Sequence, residues 1–219
     1  MSYYTYYLYK YLVSSRQAER ITDPNTELGT KCRKLLQSEK IKEIVIKSML
    51  GSNVSKSRYP SFKVNTCNDA LFSITYVPNN NSSSEFEHLP PIVRIIQDSI
   101  DETAMADLVY YSTRLYEQYK TLPLFVVIPM KGFTCDKIKS EFGSDISIQK
   151  NGFKVHEAKS CLLWALHLYV FTWESIAAYI HQSPMDRMVA LICCIVQSEP
   201  LSESQCQDPT IKMLLKLLE

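Results

Sequence analysis

Glycine is scarce in this chain, with five residues among 219. A phosphate-binding loop of the GxGxxG or Walker type needs glycines so that backbone N–H groups can approach the phosphate, and the sequence contains neither motif. GxSxG is also absent, and the four histidines show no HxxxH or HExxH spacing. These absences give no support to a nucleotide-binding loop, a nucleophile-elbow hydrolase or a zinc hydrolase.

Long apolar runs are missing too. No run reaches the roughly 18 residues that a membrane-spanning helix needs, and the tyrosine-rich start lacks the basic region and cleavage site of a secretion signal. The seven cysteines form no CxxC pair, and Cys193 and Cys194 lie in an apolar stretch, as is typical of reduced, buried thiols. The sequence therefore predicts an intracellular protein, nuclear or cytoplasmic, that makes no contact with a membrane.

Charge is nearly balanced overall but unevenly distributed. Residues 1–63 carry 12 Lys and Arg against 5 Asp and Glu, whereas residues 64–219 carry 12 against 18. A basic segment can contact phosphates, so we predict weak, non-specific nucleic-acid contacts from five of its side chains. These are Lys31, Arg33, Lys34, Lys40 and Lys42. The simpler interpretation, a set of solvated helix faces, is the one we favour.

Helical spacing dominates both ends of the chain, and strand patterns lie between them. The predicted helices are 3–21, 26–50, 102–119, 134–142, 172–181, 183–198 and 210–218. The predicted strands are 62–64, 69–77, 91–97, 123–129, 146–148 and the second half of 162–171. A strand–helix–strand order over 91–129 implies that the two strands are parallel neighbours in one sheet. We therefore predict an α/β fold of three layers, with a mixed central sheet and flanking helices at both ends.

Helix boundaries carry their own signals. Gly51 follows a helical stripe as a C-terminal cap, Asp101 precedes helix 102–119 as an N-cap, and Ser183-Pro184 and Asp208-Pro209 are typical helix starts. In helix 102–119 a helical stripe is predicted to be buried. Its members are Met105, Leu108, Val109, Ser112, Leu115, Tyr116 and Tyr119. The change from helical to strand patterns divides the chain into a helical region, 1–60, packing on a core, 61–219.

One stretch points to a family. The run Leu89-Pro90-Pro91-Ile92-Val93-x-x-x-Gln97, then Ile100-Asp101, Met105, Leu108-Val109, Tyr111, Tyr116-Glu117 and Leu122-Pro123, resembles the PD-(D/E)XK nuclease-like superfamily. The similarity is to its transposon-linked members, of the recombination-promoting nuclease and putative-transposase type, including fungal relatives. It covers residues 60–215 and is most specific over 89–123. It implies a restriction-endonuclease-like core.

The resemblance also implies a site. Members place an Asp at the start of one strand, then a Glu or Asp two residues before a Lys or Gln on the next strand. Residues two apart share one face of a strand, so these groups surround a divalent cation, usually Mg²⁺, that activates water. Asp69 becomes the candidate first acid, although it fits equally well as the start of a strand after the turn-like Cys67-Asn68. Gln97 becomes the candidate Lys or Gln. The residue two positions before Gln97, where the motif has Glu or Asp, is Ile95, which cannot ligate a cation.

This departure decides the predicted function. We expect a catalytically inactive nuclease-like domain, derived from a mobile-element nuclease and needing no cofactor or metal, that binds a protein or, weakly, nucleic acid. The alternative is an active Mg²⁺-dependent DNA endonuclease with a rearranged site. Nearby acids do not favour that alternative, because Asp98 is predicted to face away from Gln97 and Asp101 is better explained as a helix cap.

The first residues suggest the kind of partner. Residues 3–11 hold six tyrosines within nine positions, too many for a single buried stripe. Aromatic surfaces of this kind occur in protein interfaces and as stacking surfaces for nucleic acid. We favour a protein partner or self-association through this segment.

Overall fold

The computed structural model describes residues 36–67, 71–79, 89–143, 153–196 and 201–217. Its α-helices are α1 (Glu39–Leu50), α2 (Glu102–Tyr119), α3 (Asp136–Ser140), α4 (Trp173–Ile176), α5 (Arg187–Val196), α6 (Glu203–Gln207) and α7 (Pro209–Leu215), and a short 3₁₀ helix spans Lys56–Arg58. Its strands are β1 (Ser61–Cys67), β2 (Leu71–Val77), β3 (Ile92–Gln97), β4 (Leu124–Pro129), β5 (Phe142–Gly143), β6 (His156–Ala158) and β7 (His167–Val170). None of these described helices is long and apolar enough to cross a membrane.

The strands form one mixed sheet in the order β1-β2-β3-β4-β7-β6-β5. β3 is antiparallel to β2 and parallel to β4, and β4 is parallel to β7. In this register Arg94 of β3 lies between Ile74 of β2 and Val126 of β4. The strands predicted over 69–77, 91–97 and 123–129 are therefore neighbours, with α2 as the crossover between the parallel pair. The predicted α/β fold with a mixed sheet is confirmed.

A separate apolar core covers each face of the sheet, because alternate residues of a strand point to opposite faces. All six residues of β3 are buried, as expected for a central strand covered on both sides. One core includes Ile92, Ile96, Ile41, Ile44, Val189, Ile192 and Ile211, which join β3 to α1, α5 and α7. The other includes Val93, Ile95, Phe125, Val127, Leu108 and Leu115, which join β3 and β4 to α2. Helices thus flank both faces.

Some predicted helix boundaries agree with the structure, but the helix predicted over 172–181 ends at Ile176, and the one predicted over 210–218 spans Pro209–Leu215. Gly51, with a φ of 93°, ends α1, and the Asp101 side chain accepts a hydrogen bond from the Ala104 N–H at 2.7 Å. The helix expected to start at Ser183-Pro184 begins instead at Arg187. Its N-cap is Asp186, whose carboxylate accepts the N–H groups of residues 188 and 189 at 2.8 and 3.2 Å. The segment before this helix is bound elsewhere, because the Ser183 hydroxyl and the Met185 N–H both donate to Asp208.

Two further expectations fail around β5 and β6. The helix predicted over 134–142 ends at Ser140, and Phe142 and Gly143 pair with β6, a strand that the sequence did not indicate. Both strands are two or three residues long, which is too short for a period-2 pattern to be recognisable. The predicted elements 3–21 and 146–148 lie outside the described residues, as does the first part of helix 26–50.

The buried stripe of α2 is narrower than predicted. Leu108, Ser112 and Leu115 are buried, but Val109 is 39% exposed and Tyr116 is 48% exposed. The buried residues follow one another at spacings of four and three, and each exposed residue is one position further along, a rotation of about 100° around the helix. Val109 and Tyr116 therefore lie on the flank of α2, away from the sheet.

Asp208 connects two segments that are distant in sequence. Its Oδ1 accepts the Thr210 and Ile211 N–H groups at 2.8 and 3.2 Å, and its Oδ2 accepts the Met185 N–H at 3.0 Å and the Ser183 hydroxyl at 3.2 Å. Burial by itself would raise the pKa of Asp208, but these four hydrogen bonds outweigh it and lower the pKa. The ionised carboxylate therefore stabilises the carboxyl-terminal helices.

We expect Asp208→Ala to lower the free energy of unfolding by about 2–3 kcal/mol at pH 7, because a helix cap is lost and buried donors are left unpaired. The folded pKa lies below the unfolded value, so the contribution of Asp208 is present above about pH 4 and disappears as the pH falls further. Urea unfolding at pH 7 and pH 3 measures both effects. Asp107→Ala, at an exposed position of α2, is the control. An equal loss at both pH values would contradict the role of the charge.

Candidate functional site

The candidate site lies where the parallel strands β3 and β4 end. Gln97 and Pro129, their last residues, are direct neighbours, and ligand sites of α/β sheets form at the carboxyl ends of such strands. The loops that follow are joined by two backbone hydrogen bonds. Met130 N–H donates to the Gln97 carbonyl at 2.9 Å, and Lys131 N–H donates to the Asp98 carbonyl at 2.7 Å. These bonds hold the end of β3 in a defined position.

Gln97 is buried at this point, with 4% of its surface exposed. Its Nε2 donates to the Ser99 carbonyl at 2.9 Å. Its Oε1 is buried and has no hydrogen-bond partner in the part of the chain that the structure describes. Only the Nε2 end of the Gln97 amide is therefore held by a hydrogen bond. An unpaired buried acceptor such as Oε1 costs about 1–3 kcal/mol.

Ile95 lies on the same face of β3 as Gln97 and is 3% exposed. It packs in the apolar core beneath α2, with Ser73 of β2 as its backbone neighbour. The resemblance would place a carboxylate here. Mg²⁺ requires a near-octahedral shell of oxygens, and the described residues supply one unpaired oxygen, Gln97 Oε1, beside a hydrocarbon side chain. They do not fit the ion. Asp69, the other predicted ligand, lies outside the described residues.

The acids that follow β3 have structural partners. Asp98 forms an exposed ion pair with Lys131, at 2.9 Å between Nζ and Oδ2. Asp101 caps α2, and Glu102 forms an exposed ion pair with Lys137 at 3.1 Å. Within the described ranges, no group of three or more His, Cys, Asp and Glu residues is placed to hold a metal ion. None of these acids replaces the missing carboxylate.

A buried polar strip beneath α2 was not predicted. Ser73 and Thr75 of β2 are 2% and 1% exposed, and the Thr75 hydroxyl lies 2.8 Å from the Tyr111 hydroxyl of α2. Lys63 Nζ lies 5.7 Å from the centre of the Tyr119 ring. The signal was available, because the polar residues 73 and 75 alternate with the apolar residues 72, 74 and 76. The strip supplies hydrogen-bonding groups on the face that carries Gln97.

His156 forms a second polar constellation that sequence reasoning missed. Its Nε2 lies 3.3 Å from Thr172 Oγ1, and the Thr172 hydroxyl also accepts the Ser175 N–H in a capping box at the start of α4. Burial lowers the pKa of His156. Both side chains are enclosed by protein, and the pair serves to fix α4.

An open groove of about 430 Å³ lies between α2 and the loop that precedes β7. Its lining residues are Ser112, Thr113, Tyr116, Leu122, Leu163 and Trp164. Leu163 is 95% exposed and the adjacent Leu162 is 71% exposed. The groove lies beside the flank of α2 where Val109 and Tyr116 proved to be exposed.

The predicted basic residues are described only in part. Lys31, Arg33 and Lys34 lie outside the described residues. Lys40 is half-buried and lies 3.7 Å from Glu43, whereas Lys42 is 4% exposed and its Nζ donates to Glu39 and to the Tyr59 carbonyl at 2.7 and 3.0 Å. The ammonium group of Lys42 is thus enclosed by the fold. Nucleic-acid binding by this segment stays a prediction.

Comparisons with known proteins add no relative. No family model, curated protein or solved structure matches this chain significantly. The resemblance to PD-(D/E)XK nucleases therefore stays a prediction, carried by residues 89–123 and by the order of the elements.

A substitution tests the predicted register of the motif. Ile95→Glu places a carboxylate two residues before Gln97 on the same face. We expect this variant to unfold at a lower temperature than the parent, because an ionised carboxylate is costly in an apolar core. Mn²⁺ should then raise its melting temperature, whereas the parent should not respond to Mn²⁺.

Ile96→Glu is the matched control. Ile96 is equally buried, at 2% exposed, but it points to the opposite core. It should be destabilised without gaining a response to Mn²⁺. Equal responses of the two variants, or none in Ile95→Glu, would show that the assigned register of the motif is wrong.

Proposed function

We propose that this protein is a nuclease-like binding module that does not cleave phosphodiester bonds. The observation that carries the proposal is Ile95, enclosed among apolar side chains two residues before Gln97. Metal-assisted cleavage needs a cation that activates water and neutralises the charge developing on the phosphate. A hydrocarbon side chain at this position removes an oxygen ligand and also the space that the ion would occupy.

The state of Gln97 supports the same proposal. A Gln at a working metal site would direct its side chain toward the reacting water or phosphate. Here the amide donates to the Ser99 carbonyl, two residues along its own chain. The strand end is thereby used for local structure, and the neighbouring acid, Asp98, is neutralised by Lys131.

We infer that the main partner of the module is a protein. Among the described residues, eight large apolar side chains are exposed, and six of them lie on α2 or in the loop that precedes β7. These six are Val109, Tyr110, Tyr116, Leu162, Leu163 and Leu166. Concentrated exposed apolar surface is typical of protein contacts, and none of these six side chains carries a positive charge that would neutralise a phosphate. Self-association or partner binding through residues 3–11 is part of the same proposal.

A metal and nicking assay tests the absence of cleavage. We expect no saturable binding of Mg²⁺ or Mn²⁺ by calorimetry, and no nicking of supercoiled plasmid, because the described ligand set is incomplete. Asp69→Ala is the comparison variant, because it removes the predicted first acid. Saturable metal binding with nicking that disappears in Asp69→Ala would establish the alternative, an active Mg²⁺-dependent endonuclease.

Binding to DNA should be weak and non-specific. We expect a dissociation constant no tighter than about 10⁻⁶ M near physiological salt, weakening steeply as salt rises, because such binding depends on counterion release. Fluorescence anisotropy with unrelated duplexes measures this. Neutralising Lys31, Arg33, Lys34 and Lys40 together should abolish it. Lys42→Met should instead lower stability, because Lys42 is buried.

The control for charge neutralises four exposed lysines from the remainder of the chain: Lys120, Lys137, Lys159 and Lys212. This variant should keep most of the affinity. Tight or salt-insensitive binding that survives the loss of the basic segment would show that the domain binds DNA through another surface.

A further inference from the structure

Arg94 is a buried cation in the centre of the sheet. It lies in the middle of β3 and is 1% exposed. A guanidinium group stays protonated in proteins, although burial lowers the pKa of Arg94. No Asp or Glu within the described ranges forms an ion pair with it. A buried charge without an opposite charge is strongly destabilising, so the absence of a carboxylate here requires an explanation.

The contacts that Arg94 does make are incomplete. Nη2 donates to the Leu36 carbonyl, and the guanidinium carbon lies 5.8 Å from the centre of the Tyr76 ring. Nε and Nη1 are buried and have no hydrogen-bond partner in the described part of the chain, and the same is true of the Tyr76 hydroxyl. Tyr76 and Arg94 lie on the same face of adjacent strands. Unpaired donors therefore occur together in this core.

The geometry of a guanidinium group defines what these donors can accept. Four of its five hydrogens form two forks, one from Nε and Nη2 and the other from Nη1 and Nη2. The Leu36 carbonyl occupies one hydrogen of Nη2 and so interrupts one fork only. Whichever hydrogen it takes, the other fork keeps both of its hydrogens. Such a two-hydrogen fork matches the two oxygens of a carboxylate.

We propose that Arg94 is a carboxylate-binding site, in which the free fork of the guanidinium holds both oxygens of one carboxylate group inside the core. A carboxylate carries a single negative charge and therefore neutralises the single cation. A phosphate dianion would bring an unbalanced charge into the core, and its dehydration would be costlier. The Tyr76 hydroxyl is a further donor on the same face. This site lies on the sheet face opposite Ile95 and is independent of the proposed function.

The burial of Arg94 limits the source of the carboxylate. A ligand from solvent must be as small as formate or acetate. Otherwise the carboxylate must belong to the chain itself, and the acids that precede Leu36 in sequence are Glu19, Asp23 and Glu27, which lie outside the described residues. Both sources share the same chemistry, and the experiment separates them.

The test measures melting temperature while sodium formate replaces sodium chloride at constant ionic strength. If the carboxylate comes from solvent, formate should stabilise the parent saturably by more than about 2 °C, which corresponds to a stability change measurable for a domain of this size. If it comes from the chain, formate should leave the parent unchanged. The triple variant Glu19→Gln, Asp23→Asn, Glu27→Gln should then melt lower and be rescued by formate.

In both cases the response to formate should disappear in Arg94→Met and weaken in Arg94→Lys, which keeps the charge but loses the fork. Lys42→Met is the control, because Lys42 is a buried cation whose partners, Glu39 and the Tyr59 carbonyl, are already in place. Its response to formate should equal that of the parent.

A different result would overturn the proposal. If Arg94→Met melts higher than the parent, and neither the parent nor the triple variant responds to formate, then Arg94 is an uncompensated charge and binds no carboxylate. Should Arg94→Met fail to fold, Arg94→Lys and Tyr76→Phe decide the matter. A formate response undiminished in both would likewise exclude the site.

Discussion

The enclosure of β3 on both faces is the constraint on which the rest of the structure depends. All six of its residues are buried, so each helix layer is placed by the side chains that this strand directs toward it. Ile92 and Ile96 join the core with α1, α5 and α7, whereas Val93 and Ile95 join the core with α2. A single strand with an almost continuous apolar run therefore holds three layers together.

The same constraint makes the two polar residues of β3 informative. Arg94 and Gln97 point to opposite faces, and neither has enough hydrogen-bond partners in the described part of the chain. Buried polar groups are normally paired, so each one marks a place where packing was not the only requirement. At Gln97 the neighbouring Ile95 removes the carboxylate that metal chemistry would need. At Arg94 the unbonded guanidinium hydrogens belong to a buried positive charge, which needs a negative charge to neutralise it.

The surface and the core also differ in character. Six of the eight exposed large apolar residues that the structure describes lie on α2 or in the loop that precedes β7. The groove lined by Tyr116, Leu163 and Trp164 lies between these two elements. The ion pairs at the ends of β3 and α2, between Asp98 and Lys131 and between Glu102 and Lys137, are exposed to solvent. Such pairs contribute little to stability. The exposed apolar residues of α2 and of the loop that precedes β7 are a less usual surface feature than these ion pairs, which agrees with a protein contact.

Local chemistry in the sequence was sufficient for the strands 91–97 and 123–129, for α2 between them and for the caps at Gly51, Asp101 and Asp208. An apolar strand segment, an amphipathic helical pattern and a capping side chain each depend on residues close together in sequence, so the sequence alone reveals them. Tertiary structure alone decided the start of α5, because Asp208 holds the preceding segment through the Ser183 hydroxyl and the Met185 N–H. The short pairing of β5 with β6 was decided in the same way. It also decided that Val109 and Tyr116 are exposed, that Lys42 is buried and that Arg94 keeps a free fork. Each of these depends on partners far apart in the chain, and no local pattern encodes which groups the fold brings together.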